Sequence, residues 1–261
     1  MTPAPKRDLP ASVKARLLNL ARGRAEQLQG ILVRYAIERL LYRLSRSPYA
    51  DGFILKGAIL ASAWGGGVFR PTKDLDLLGQ DERSPEALAD VFRLIARADV
   101  EADGLAFDPH SVTGRSILEK MDHPGVRIPL EAFLGKARIP LQVDVGFGDP
   151  VTPAPLRLAY PCLLEYPEPV LLTYPPETVI AEKYDALVRL GLQTGRFKDL
   201  FDLWHLGKHF PFDGAILREA IQATFRSRRT PLPAQCPMAL SDGFAADCIV
   251  SARVRQIGAP S

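Results

Sequence analysis

The sequence predicts a mixed α/β domain followed by a helical part, and three observations carry that expectation. Two runs, "DLDLLG" (Asp74–Gly79) and "IPLQVDVGF" (Ile139–Phe147), alternate apolar and polar residues at the period of a β-strand. Segments with helical spacing stand before and between them. From Pro175 onward the chain changes character and runs through three consecutive helical patterns. The expected division is an α/β domain over residues 1–173, with basic N-terminal helices, and a helical C-terminal domain over 174–261.

Taken in order, "SVKARLLNLARGRAEQ" places Val13, Leu17, Leu20 and Ala21 at helical spacing, with Ser12 as its N-cap. "ILVRYAIERLLYRLS" reads as a strongly amphipathic helix, "GFILKG" as a short strand and "AILASAW" as a short helix. Gly65–Gly67 read as a loop before the strand "DLDLLG". Ser84 and Pro85 stand at helix-start positions ahead of "EALADVFRLIARA". "GVRIPLEAFLGKARIPLQVDVGFGDP" reads as two strands joined near Gly135–Lys136. "PPETVIAEKYDALVRLG", "FKDLFDLWHLGKHF" and "DGAILREAIQATFRS" supply the C-terminal helices, and there is no internal repeat.

Composition bounds the function. With 261 residues, 47% hydrophobic and 24% charged, the chain has the balance of an ordinary globular protein. No apolar run reaches the length of a membrane span, and "MTPAPKRDLP" lacks the apolar core of a signal peptide. The three cysteines, Cys162, Cys236 and Cys248, fit neither a zinc site nor a disulfide framework, so a cytoplasmic location is expected. The net charge of +3 is unevenly spread: residues 1–46 hold ten Lys/Arg against three acids, a net +7 that leaves −4 for the rest. A basic segment of this kind suits an anionic partner such as nucleic acid, with Arg16, Arg22 and Arg24 as candidate RNA contacts; a solvated helix surface is the plainer alternative.

The chemistry gathers on the strands. Asp74 and Asp76 share one face of their strand, and Asp144, with Gln142, takes the corresponding face of the other. If the two strands are neighbours, three carboxylates converge, and unpaired they would repel at a desolvation cost that a divalent cation relieves. Hard oxygen ligands favour Mg²⁺ or Mn²⁺. Upstream, Lys56-Gly57 ends a strand and Ala58 opens a helix, a turn at which backbone N–H groups can approach phosphate oxygens. Together these read as a metal-dependent nucleotidyltransferase site. Lys56, Gly57, Ala58, Lys73 and Lys183 are its nucleotide-binding candidates, and NTP is the expected substrate. Lys183 interrupts the apolar stripe of Val179, Ala186 and Leu190, so it either snorkels outward or reaches an anion, and a triphosphate favours the second. Asp199 and Asp202 stand at i, i+3, where Lys198 could pair with Asp202. His205 and His209, at i, i+4, lack a third ligand and suit a surface role.

The ordered set "FILKGA", "RPTKDLDLLG", "QVDVGFGD", "ETVIAEKYDALVRLG" and "RFKDLFDLW" resembles the AbiEii/AbiGii family of nucleotidyltransferase-like toxins, which includes the mycobacterial MenT toxins. The resemblance runs from about Ser12 to Asp247. It implies a polymerase-β-like nucleotidyltransferase fold with a mixed sheet, and a toxin of a toxin–antitoxin or abortive-infection system with a cognate antitoxin encoded nearby. For some relatives it implies nucleotide transfer to the 3′ end of tRNA. Carried over by motif, Asp74 and Asp76 match the metal-binding pair, Asp144 the third carboxylate, Lys183 the lysine of the "EK" helix and Asp199 the aspartate of "KD". The same chemistry directed at a protein hydroxyl or a small molecule such as an antibiotic, and an inactive nucleotide-binding homologue, are the alternatives. Ala58 stands where many nucleotidyltransferases carry Ser or a second Gly, and "CIVSARVRQIGAPS" lacks the amphipathic closing helix expected from relatives.

Overall fold

The computed structural model describes residues 8–64, 74–118, 124–190, 197–237 and 240. Lys73, the Gly65–Gly67 loop and the segment after Asp247 lie outside the described residues. The frame is set by the longest hairpin, β5 (Pro124–Leu134) and β6 (Ala137–Phe147), whose ladder pairs Leu134 with Ala137 and reaches Gly125 with Gly146. Its two-residue turn needs a positive φ at the first position, which Gly135 adopts at +59°. β2 (Asp74–Gly79) lies parallel to β6, β1 (Phe53–Lys56) antiparallel to β2, β8 (Val170–Thr173) parallel to β1, and β7 (Leu156–Ala159) antiparallel to β8. β3 (Leu105–Asp108) and β4 (Arg115–Leu118) both pair with β5, completing a mixed eight-stranded sheet in the order β3-β5-β6-β2-β1-β8-β7. The four-residue strands β3, β4, β7 and β8 go beyond the sequence expectation, because such short pieces show too few alternations to register as strands.

One sheet face is apolar: Leu55, Leu75, Leu77, Val143, Val145 and Ile128 are buried in a single core with residues of α1 (Leu9–Arg24), α2 (Leu28–Ser45) and α4 (Pro85–Ala96). The short α3 (Leu60–Ala63) stands between β1 and β2. The helices depart from expectation in two places. α1 is capped by Asp8, whose carboxylate accepts from Ala11 N, and not by Ser12, because Pro10 already suits a first turn that begins four residues earlier. The Ser84 cap and Pro85 start of α4 form as expected. α2 is not a one-sided amphipathic helix: from Ile31 to Leu44 every residue except Arg34 is buried, including Glu38, Arg39 and Arg43. These charges are tolerated because each stands beside an opposite charge, although Glu38 Oε1 and Arg39 Nε make no hydrogen bond. Glu38 pairs with Arg39 at 3.1 Å and accepts from Leu163 N, Arg39 donates to Pro167 O, and Arg43 donates to Asp103. Beyond β8 follow the three consecutive helices α5 (Pro176–Leu190), α6 (Phe197–His209) and α7 (Gly214–Ser227). Among the described residues no helix is long and apolar enough to cross a membrane.

Candidate active site

Register turns the polar sheet face into one row of charge. Lys56 stands opposite Asp76, Asp76 opposite Asp144, Asp144 opposite Arg127, and Arg127 opposite Arg115, across β1, β2, β6, β5 and β4. Two residues back along β2, Asp74 stands opposite Gln142. The two acidic strands are therefore neighbours, with Asp74, Asp76 and Asp144 on a common face, as the alternation required.

The expectation that the three carboxylates would lie unpaired is corrected at Asp144. Arg127 grips it with two donors, Nε to Oδ1 at 2.8 Å and a terminal nitrogen to Oδ2 at 2.7 Å. Gln142 Nε2 bridges Asp74 Oδ1 at 3.3 Å and Asp144 Oδ2 at 3.2 Å. The hydrogen bond to Asp144, with the added charges of Asp74 and Asp76, raises the Arg127 pKa above its ordinary value. No sequence motif marks Arg127, yet it is legible there: a turn at Gly135–Lys136 fixes every antiparallel partner, and counting back places residue 127 opposite residue 144.

Gly57 explains how Asp76 fits. Its φ is +81°, and a Cβ there would collide with the Asp76 carboxylate, so the strand-to-helix turn lies directly against that side chain. Ala58 follows in the turn before α3.

Lys56 and Lys183 both sit among acids. Lys56 Nζ lies 2.9 Å from Asp149 and 3.1 Å from Glu182, over the Tyr174 ring. Arg228, after α7, reaches Asp149 at 2.8 Å, Glu182 at 3.3 Å and Asp185 at 3.2 Å, while Arg189 and Thr230 also hold the fully buried Asp185. Among the described residues, Lys56, Arg228 and Arg189 thus meet Asp149, Glu182 and Asp185 in one network that ties the end of β1 and the loop after β6 to α5 and α7. Burial pulls the Asp149 carboxyl upward, but Lys56 and Arg228 outweigh it and hold the group well below the usual carboxylate range. Glu182 goes the other way, because burial there outweighs Lys56. Nothing in the sequence pattern singles out Arg228 or Asp149, whose partners are distant in the chain.

Lys183 does reach anions, but they come from the neighbouring helix: Nζ lies 3.0 Å from Asp199 and 2.5 Å from Asp202 on α6. Asp202 is wholly buried toward Lys183, whereas Lys198, the partner the i, i+4 spacing offered, is exposed. The rings of His205 and His209 stack at 4.3 Å, with His205 buried rather than on the surface. Arg16, Arg22 and Arg24 are exposed on α1.

Asp74, Asp76 and Asp144 present hard oxygen donors on one face, and Gln142 and Arg127 already occupy oxygens of Asp74 and Asp144. As now placed, no three His, Cys, Asp or Glu side chains among the described residues converge enough to hold an ion.

The site thus joins a mixed sheet to a glycine turn seated against Asp76. Among solved structures, JHP933 from Helicobacter pylori shares this fold, with a TM-score of 0.51 at 14% identity over 88% of this chain and 92% of its own. A second H. pylori structure aligns at a TM-score of 0.47 with 15% identity over 88% and 95% of the two chains. An antigenic nucleotidyltransferase-like protein from Paracoccidioides brasiliensis aligns at 0.40 with 14% identity over 76% and 88%. No curated protein sequence matches the chain significantly. The family model described as "Nucleotidyl transferase AbiEii toxin, Type IV TA system" matches residues 39–257, and the chain belongs to that family. It is accordingly a nucleotidyltransferase of a toxin–antitoxin system.

Proposed function

We propose that this enzyme transfers a nucleotide from an NTP to an RNA acceptor, the 3′ end of tRNA, with Mg²⁺ or Mn²⁺ held by Asp74, Asp76 and Asp144. The observation that carries the reading is the parallel register of β2 and β6, which sets Asp76 beside Asp144 with Asp74 on the same face. In the reaction an acceptor hydroxyl oxygen attacks the α-phosphorus and gives its proton up to solvent, the bond from the α-phosphorus to the oxygen shared with the β-phosphate breaks, and pyrophosphate leaves. A bound divalent cation would supply charge neutralisation on the phosphates and a lowered hydroxyl pKa. The chain's own groups do the rest. The turn at Gly57 and Ala58 lets the phosphates approach the backbone, Lys56 and Lys183 contribute positive charge to the leaving pyrophosphate, and Asp199 orients Lys183. Exposed Arg16, Arg22 and Arg24 of α1 offer their charge to RNA phosphates. On this reading the reaction runs in the cytoplasm, opposed by the antitoxin of the system.

The test is transfer from each of the four labelled NTPs to purified tRNA, with Mg²⁺, with Mn²⁺ and with EDTA. Label should enter the tRNA only with metal. Asp76→Asn should abolish transfer while still melting cooperatively in EDTA, which separates loss of chemistry from loss of fold. Label on a co-incubated protein or antibiotic instead would overturn the RNA acceptor. A fully active Asp76→Asn enzyme would overturn the site.

A further inference from the structure

Helix α6 is tied to the site at two points. Asp199 and Asp202 on its inner side hold Lys183, and just past its end Phe210 meets Trp64, the residue after α3, edge to face at 5.7 Å. Its outer flank is aromatic. Four rings close on one another there: Phe201 with Trp204 at 5.8 Å, Trp204 with His209 at 6.5 Å, His209 with His205 at 4.3 Å, and His205 with Phe201 at 6.1 Å. Trp204 is 56% exposed, the most open of the large hydrophobic side chains among the described residues. Lys208 Nζ lies over its ring, 5.2 Å from the centroid. Lys198, Phe201, Trp204 and Lys208 follow one another at i+3, i+3 and i+4 and so form one stripe, with both lysines exposed. The two acids of α6 are buried toward Lys183, so the stripe itself carries only positive charge.

Resting on the RNA-acceptor reading above, we propose that this stripe seats the single-stranded 3′ end of the acceptor RNA. One base stacks on Trp204, and Lys198 and Lys208 meet phosphates on either side of it. An open indole with flanking cations offers what a single strand needs, a π-face for a base of any sequence and positive charge along its backbone. A base inside a duplex already has both faces covered, so the stripe selects an unstacked end. Lys208 does not block the ring: an exposed cation–π contact is weaker than base stacking, and the lysine stem is flexible enough to carry its ammonium to the neighbouring phosphate. The lysines stand about 15 Å apart along the helix axis, a span of a few nucleotides centred near Trp204. The same cations argue against a protein partner, because protein interfaces are depleted in lysine.

The test titrates the full chain into a fluorescein-labelled RNA hairpin, blunt or with a short 3′ overhang, and reads anisotropy. Wild type should prefer the overhang. Trp204→Ala should bind the overhang about fivefold to a hundredfold more weakly, the loss of one stacked base, and bind the blunt hairpin as wild type does. Its KM for tRNA should rise in step while its KM for NTP stays put. Trp204→Phe should keep most of the affinity, since it keeps a π-face. Lys198→Gln combined with Lys208→Gln should lower the slope of log affinity against log salt by about 1.4, at about 0.7 for each single-strand phosphate. Unlabelled overhang RNA should also quench the wild-type tryptophan emission, leaving the signal of Trp64 that Trp204→Ala retains. Unchanged overhang binding and KM in Trp204→Ala, with tRNA still labelled by the enzyme, would overturn the stacking site and leave the RNA acceptor standing; the rings would then only anchor α6. Wild type that binds neither hairpin and labels a co-incubated protein or antibiotic would overturn the RNA acceptor itself, and the stripe's role with it.

Discussion

Gly57 and Asp76 show how closely single residues are fitted at this site. The glycine is required twice over, by its φ of +81° and by the absence of room for a Cβ beside the Asp76 carboxylate. Gly57→Ala should therefore cost about 1–3 kcal/mol of stability for the strained backbone. If Asp76 is pushed aside by the order of 1 Å, transfer should fall about a hundredfold. Thermal melting together with the tRNA-labelling rate checks this, and near-normal transfer would show that Asp76 has slack the geometry denies. The same scale separates what is readable in the chain from what is not. The face shared by Asp74 and Asp76 follows from alternation alone, whereas the anion chosen by Lys183 depends on where α6 comes to rest. The thiol of Cys162 belongs to the unreactive kind: burial pushes it up to about 12, so little thiolate forms at neutral pH.

At the scale of elements, the decisive joint is the charge network binding β1 and the loop after β6 to α5 and α7. Asp149 is its centre, facing Lys56 on one side and Arg228 on the other. Its carboxyl is depressed in the folded state, so its contribution is present above the unfolded aspartate pKa of about 3.9 and lost as pH falls below that value. Wild type should lose stability on acidification in that window. Asp149→Asn should melt lower at neutral pH, by roughly 3–5 kcal/mol for a buried pair robbed of one partner, and show a shallower acid limb. Urea unfolding from neutral pH down through that window separates the two effects, and parallel curves for wild type and variant would mean that Asp149 carries no proton linkage. Hairpin β5–β6 is legible because its turn glycine and its period agree, and so, by counting from that turn, is the pairing of Arg127 with Asp144. The Asp149 joint is not, because Asp149 and Arg228 stand 79 positions apart and no local pattern connects them.

At the scale of the whole molecule, the basic residues described in the N-terminal segment, apart from half-buried Arg34 on Glu26, fall into two populations. Arg39 and Arg43 are interior groups satisfied by Glu38, Pro167 and Asp103, while Lys14, Arg16, Arg22, Arg24 and Arg46 face solvent. The second population is the one placed to meet an RNA. Replacing Arg16, Arg22 and Arg24 together by Gln should raise the KM for tRNA and leave that for NTP nearly unchanged. The slope of log affinity against log salt should fall by about 2–3, at somewhat under one unit for each phosphate that the variant leaves unneutralised. Identical salt slopes for the two proteins would make those arginines a solvated surface and no more.

By itself the sequence determined the alternation that sorts carboxylates from core, the hairpin that brings β6 into place, the glycine turn and the helical run after Pro175. Each is a local rule, fixed by a period of two or 3.6 residues or by a backbone angle only glycine adopts freely. The tertiary structure decided which strands became neighbours, and hence that Asp76 meets Asp144. It also decided that α2 is buried all round with its charges inside, and that Lys56, Asp149, Glu182 and Arg228 close on one another. Those outcomes belong to packing, because the partner that satisfies a buried charge is chosen by which surfaces meet and not by its distance along the chain.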